Sequence, residues 1–164
     1  MARPDGVRKL AILSLLLSLS MVLSYLESLV PVFIAVPGVK LGLANAVSLF
    51  ALYRLGAREA VSISLIRVLL SSLLFGSVMS MAFSLAGAAL SLFAMIILKR
   101  ISPLSTAGVS VIGAVCHNVG QIIVAAALLS TSLIYYLGVL IISGVVSGIL
   151  IGLLTSYLIK RVKI

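Results

Sequence analysis

Residues 133–159 read L-I-Y-Y-L-G-V-L-I-I-S-G-V-V-S-G-I-L-I-G-L-L-T-S-Y-L-I, followed at 160–163 by K-R-V-K. The run carries no charge and exceeds the roughly 20 apolar residues that a helix needs to cross a bilayer. A basic cluster then stops it. Working back toward the N-terminus, the same alternation recurs. Apolar segments lie at about 10–30, 41–53, 60–75, 77–98 and 109–129. Between them come Pro31 and the Pro37-Gly38 pair, a polar turn from Arg54 to Glu59, and a turn from Lys99 to Ser105 containing Pro103. These are turn and breaker signals. The second and third segments are short for a bilayer and are expected either to begin further out or to pack inside the bundle.

Charge placement fits this count. With the N-terminus in the cytoplasm, the inner segments hold Arg3, Arg8, Lys9, Arg54, Arg58, Lys99, Arg100, Lys160, Arg161 and Lys163. The outer loops hold Lys40, and Arg67 lies inside the third segment. That is the positive-inside pattern, which a miscounted helix would have scrambled. Tyr25, Tyr135 and Tyr136 fall near the outer interface, and Tyr53 and Tyr157 near the inner one. Arg3, Arg8 and Lys9 before an apolar run also resemble a secretory signal. However, the run is long and no A-x-A-like cleavage site follows, so a retained first helix is expected. The expectation is therefore an all-α integral membrane protein: a six-transmembrane-helix bundle forming one domain over 1–164, with both termini cytoplasmic.

Composition agrees. Of 164 residues, 63% are hydrophobic, 12 are basic and 3 acidic, and mean hydropathy is +1.38. A soluble domain carries about a quarter charged residues, so a soluble enzyme is excluded. The net charge of +9 reports membrane sidedness and does not point to nucleic acid. The lone Cys116 rules out a disulfide framework and a cysteine-based zinc site. With one His and one Cys, no metal site or cofactor is expected. Three acids exclude paired-carboxylate catalysis.

Polar side chains inside a bilayer are costly and need a reason. Here they are Glu27, Asn45, Arg67, Ser71, His117, Asn118 and Gln121, with Lys40 at the head of the second segment. By depth along their helices, all fall between the midplane and the outer surface. One outward-facing pocket explains this, with Pro31 to Val39 as part of a lid. His117 and Gln121 are four apart and share a helix face, as are Arg67 and Ser71. Arg67, a planar fork suited to carboxylate or phosphate, is the expected anchor for a small polar or anionic solute. A purely structural ion pair of Glu27 with Arg67 or Lys40 is the alternative, and the plainer reading of Asn45 is a cap on the second helix or a bond across helices. Small residues form stripes at Gly144, Gly148 and Gly152, and at Ser14 and Ser18. Such stripes let helices approach closely, either within the bundle or at a docking face for a separate membrane protein.

The stretches L-E-S-L-V-P through P-G-V-K-L-G-L-A-N at 26–45, R-V-L-L-S-S-L-L-F-G at 67–76, M-A-F-S-L-A-G-A at 81–88 and G-V-S-V-I-G-A-V-C-H-N-V-G-Q at 108–121 resemble the membrane family labelled heptaprenyl diphosphate synthase component I, also called the Gx transporter family. The resemblance covers nearly the whole chain. More distantly, the family resembles the substrate-binding S components of energy-coupling factor (ECF) transporters, which are six-helix bundles with an outward-facing pocket. That likeness implies substrate capture for uptake, in partnership with an energising ATPase module, since the chain has no G-x-x-x-x-G-K-[ST] of its own. The family label implies instead a membrane accessory subunit of isoprenoid diphosphate synthesis, partnered by a prenyl synthase subunit. Catalysis of prenyl elongation uses magnesium held by two aspartate-rich motifs, and this chain has one aspartate, Asp5. No catalytic role is expected. Substrate capture is the leading expectation, the accessory subunit the alternative, and a ligand-free structural partner the third reading.

Overall fold

The computed structural model describes residues 6–29, 42–101, 103–129 and 137–162. Every element among them is a helix: α1 Gly6–Leu29, α2 Leu43–Arg54, α3 Ala57–Phe75, α4 Val78–Ile101, α5 Thr106–Leu129 and α6 Leu137–Arg161. The chain is all-α, as expected, with helix ends within a few residues of the sequence reading. Four helices, α1, α4, α5 and α6, are long and apolar enough to cross a membrane. Lys40, the stretch from Pro31 to Val39, Tyr135 and Tyr136 lie outside the described residues, as do Arg3 and Lys163.

The surface is inverted relative to a soluble protein. Leu15, Leu73, Phe93, Ile142 and Leu150 point outward, while Ser20, Ser24, Ser64, Ser91, Ser110 and Thr155 are buried. A soluble protein could not expose such a surface without aggregating. In lipid an outward leucine costs nothing, and a small inward hydroxyl lets backbones approach. Several of these hydroxyls are satisfied within their own helix, as where Ser20 donates to the Leu17 carbonyl at 2.7 Å and Ser147 to that of Gly144 at 3.3 Å.

The short second segment is the internal kind. From Ala46 to Leu52 every residue of α2 is buried, as befits a helix apolar all round. At 12 residues and 1.5 Å rise it is about 18 Å long, too short to cross alone. Its entry is set by Gly42, whose φ of +78° lies in the left-handed region where a side chain is strained.

α5 lies between α4 and α6 and packs closely on both. A β-carbon at Gly148 would sit 2.6 Å from Val111 Cα, and one at Gly152 would sit 2.5 Å from Ala107 Cα. Gly144 faces Asn118, Val115 and Ala114 in the same seam. The glycine stripe is therefore taken up by α5 within the chain. Of the two readings of the stripe, these contacts support packing within the bundle. Ser14 and Ser18, by contrast, are exposed on α1.

One end of the bundle is basic. Lys9 at the start of α1 pairs with Glu59 at the start of α3. Arg54, ending α2, donates to the Val162 carbonyl beyond α6. Lys99, ending α4, donates to the Leu52 carbonyl at 2.6 Å and lies 5.0 Å from the Tyr53 ring centre. Arg8, Arg58, Arg100, Lys160 and Arg161 sit on the same helix termini. Cations at the C-termini of α2, α4 and α6 also favour the negative ends of those helix dipoles.

The Lys9 hydrogen bond holds the Glu59 carboxyl below its ordinary value, against a smaller opposing effect of burial. A carboxylate with a depressed folded pKa contributes stability above its unfolded pKa and loses it as pH falls through the folded one. The pair should therefore support the fold at neutral pH and weaken it progressively below about pH 4.3, the unfolded value for glutamate. Lys9 is half-exposed, so the effect should be about 1 kcal/mol or less. Thermal unfolding in detergent from pH 7 to pH 3 checks this: Lys9→Met should flatten the acid dependence, and an unchanged slope would show that the pair does not contribute.

Candidate functional site

The polar groups singled out in the sequence meet in two adjoining places. The first is the contact of α1, α2 and α3 at the end of the bundle opposite the basic one. Ser20, Ser24 and Glu27 are the buried residues of α1. They recur at i, i+4 and i+7, so they form one inward polar face on an otherwise apolar helix. The Glu27 carboxylate accepts a hydrogen bond from the backbone N–H of Leu43. Leu43 opens α2, so this carboxylate from a neighbouring helix satisfies one of the orphan donors at a helix N-terminus and complements its dipole. Opposite lies Arg67, buried on α3 and attracted by the Glu27 charge. Its Nη1 donates to Ser24 Oγ at 3.4 Å and its Nη2 to Asn45 Oδ1 at 3.5 Å. Both bonds are long, and Nε has no partner among the described residues.

The second place is a cavity of about 30 Å³ between α2, α4, α5 and α6, with polar and apolar walls. Asn45 reaches it from α2, Ser91 from α4, Ser110, His117 and Asn118 from α5, and Ser147 from α6. Asn45 thus belongs to both places and joins them. The volume is about one water's share of liquid, well below the roughly 300 Å³ at which small-molecule pockets begin. Asn118 donates to the Leu140 carbonyl at 2.6 Å and ties α5 to α6. The His117 ring lies against Gly87 of α4, where a β-carbon would come within 2.9 Å of Cε1.

Of the expected pocket residues, Glu27, Asn45 and Arg67 come together, and Asn45, His117 and Asn118 share the cavity. Gln121 is buried on the next turn of α5 but does not line the cavity. Ser71 bonds within its own helix, donating to the Val68 carbonyl at 3.3 Å, and Lys40 lies outside the described residues. Ser24, Ser91, Ser110 and Ser147 were not foreseen. The signal was present for Ser24, whose spacing to Ser20 and Glu27 marks a polar face. The other three are single serines in apolar runs, and nothing local distinguishes them from packing residues.

No group of three or more metal-ligating side chains lies together among the described residues. No curated protein and no solved structure matches the chain. A family model described as heptaprenyl diphosphate synthase component I matches residues 16–158, a span that takes in both polar places and reaches into all six helices, and the chain belongs to that family.

Proposed function

We propose that the chain is a non-catalytic membrane subunit of a heptaprenyl diphosphate synthase. In this reading it lies in the bilayer with its basic end toward the cytoplasm, where it holds the catalytic subunit at the surface that receives a long apolar product. The observation that carries the reading is the family match over residues 16–158 in a chain with one aspartate, too few acids to hold catalytic magnesium in the way prenyl elongation requires. The basic end, joined by three contacts between helices, supports it as a surface for an acidic partner or diphosphate. The test is copurification. The chain and the catalytic subunit from the same genome, coexpressed and extracted in mild detergent, should elute together, and prenyl synthase activity should rise over that of the catalytic subunit alone. Separate elution with unchanged activity would overturn the reading.

A second reading is substrate capture, with a separate ATPase module supplying the energy. One observation favours it: Arg67 is buried with long bonds and an unpartnered Nε, a guanidinium with capacity left for an anion. The adjoining cavity holds about a water, so capture requires the helices to part. A small anion copurifying with the chain and lost in Arg67→Met would favour this reading over the first.

A further inference from the structure

With the basic end at the cytoplasmic surface, α2 begins inside the bilayer. Its last residue, Arg54, belongs to the basic end. Twelve residues carry it only about 18 Å into a hydrocarbon core about 30 Å thick. Its N-terminus at Leu43 therefore lies at membrane depth. The backbone N–H groups and partial positive charge of a helix start find no bulk water there. Helices that stop within a bilayer can direct that end at an anionic group. Here the anion is the chain's own: the Glu27 carboxylate accepts the Leu43 N–H.

Arg67 is turned onto the same helix start. It is 7% exposed, its Nη2 donates to Asn45 on the first turn of α2, and its Nε has no partner among the described residues. The guanidinium fork thus keeps bonding capacity at a buried helix N-terminus. Charge decides what can use it. Glu27 and Arg67 together carry one negative and one positive charge. A second anion would leave a net negative charge buried in the membrane, which is costly. The balance is restored if Glu27 takes a proton and lets go of the Leu43 N–H, and the incoming anion takes its place. The vacated position suits a carboxylate because a carboxylate now fills it. The adjoining cavity, reached through Asn45, holds about one water, so the rest of the molecule must be short.

We infer that the start of α2 and Arg67 form a binding site for a short carboxylate, which Glu27 occupies in its absence and gives up by taking one proton. The inference rests on the capture reading of Arg67 and gives it a solute class and a coupling: one anion and one proton enter together, and the charge of the site does not change. The groups around Glu27 are few. α1 packs on α2 and α3. Arg67 on α3 keeps its charge across the physiological range, and α2 has no titratable side chain from Leu43 to Leu52. Tyr25 of α1 is exposed, with its ring against Phe75. His117, which lines the adjoining cavity with Asn45, titrates near neutrality and needs its own control. Lys40 lies outside the described residues.

The experiment uses the whole chain in phosphatidylcholine nanodiscs, with difluoroacetate as the probe. This carboxylate stays ionised near neutral pH and is read by fluorine NMR. Its affinity should rise roughly tenfold for each unit the pH is lowered, the slope for one proton taken up with each anion. Glu27→Gln, which copies the protonated carboxyl, should bind with no slope. Arg67→Met should not bind, and His117→Gln should keep the full slope. Where Arg67→Met does not fold, Glu27→Gln decides alone: the same affinity and slope as the unaltered chain would overturn the inference. Binding without a slope in the unaltered chain, lost in Arg67→Met, would overturn the exchange with Glu27 and leave the capture reading standing. A slope that disappears in His117→Gln would place the proton on the imidazole and overturn the role of Glu27. Displacement of the probe by equimolar chloride would overturn the carboxylate class. Failure of every folded form to bind at any pH would overturn the site, and the capture reading would lose its anchor with it.

Discussion

Replacing Gly152 by leucine is expected to abolish the folded bundle. The added β-carbon would lie 2.5 Å from Ala107 Cα and 2.8 Å from Ser110 Cβ. The closest obstacle is backbone, so no side chain can swing aside, and α5 and α6 must separate along their length. Overpacking a fitted interface costs about 1–3 kcal/mol and sometimes more. Here the same displacement would also strain Asn118, whose hydrogen bond to Leu140 crosses the seam. The natural control is Gly138, on the same helix, where a β-carbon meets nothing within 4 Å. Gly138→Leu should give a monodisperse protein in detergent with an unchanged melting temperature, and Gly152→Leu should aggregate or fail to accumulate. Equal behaviour of the two would show that the glycine seam does not hold the helices together.

Arg67→Met should have the next largest effect. Methionine roughly keeps the length but removes the charge and the bonds to Ser24 and Asn45. It also removes a positive charge that the buried Glu27 carboxylate attracts. Losing these hydrogen bonds and leaving their buried partners unsatisfied costs about 1–3 kcal/mol. Part of that loss should return in the double variant Glu27→Gln/Arg67→Met, because a neutral amide no longer needs a counter-charge, although it caps α2 less well. Unfolding in detergent, followed by helical circular dichroism for the two single variants and the double, gives the coupling directly. Additive losses would mean that Glu27 and Arg67 act independently. An Arg67→Met protein of normal stability would free the arginine from a structural role and strengthen the capture reading.

The sequence made the architecture legible through charge more than through periodicity. Each of Arg8, Lys9, Arg54, Arg58, Lys99, Arg100, Lys160 and Arg161 stands at a helix terminus, and the structure gathers those termini at one end. Packing partners were harder to read. In a lipid-facing bundle both faces of a helix are apolar, so hydrophobicity does not tell inside from outside. The glycine stripe on α6 revealed a close approach but could not say whether α5 or another protein made it. Contacts between distant segments were equally hidden. Glu27 caps α2 across 16 positions of chain, which no local spacing encodes. Asn118, expected as a ligand donor, lines the cavity and also ties α5 to α6, a second role that no local spacing encodes. Depth along the helices does bring Arg67 to Asn45 and Ser24, because a buried charge has few places to go.

The claim at the centre is that this chain brings a prenyl synthase to the membrane, and flotation tests it most directly. Vesicles containing the purified chain, and matched vesicles without it, are mixed with the soluble catalytic subunit and spun through a density gradient. The account predicts that synthase protein and prenyl-transfer activity rise with the vesicles that carry the chain, and that neutralising Arg54, Lys160 and Arg161 together weakens the association. Synthase that stays at the bottom of the gradient in both cases, with activity indifferent to the chain, would contradict it.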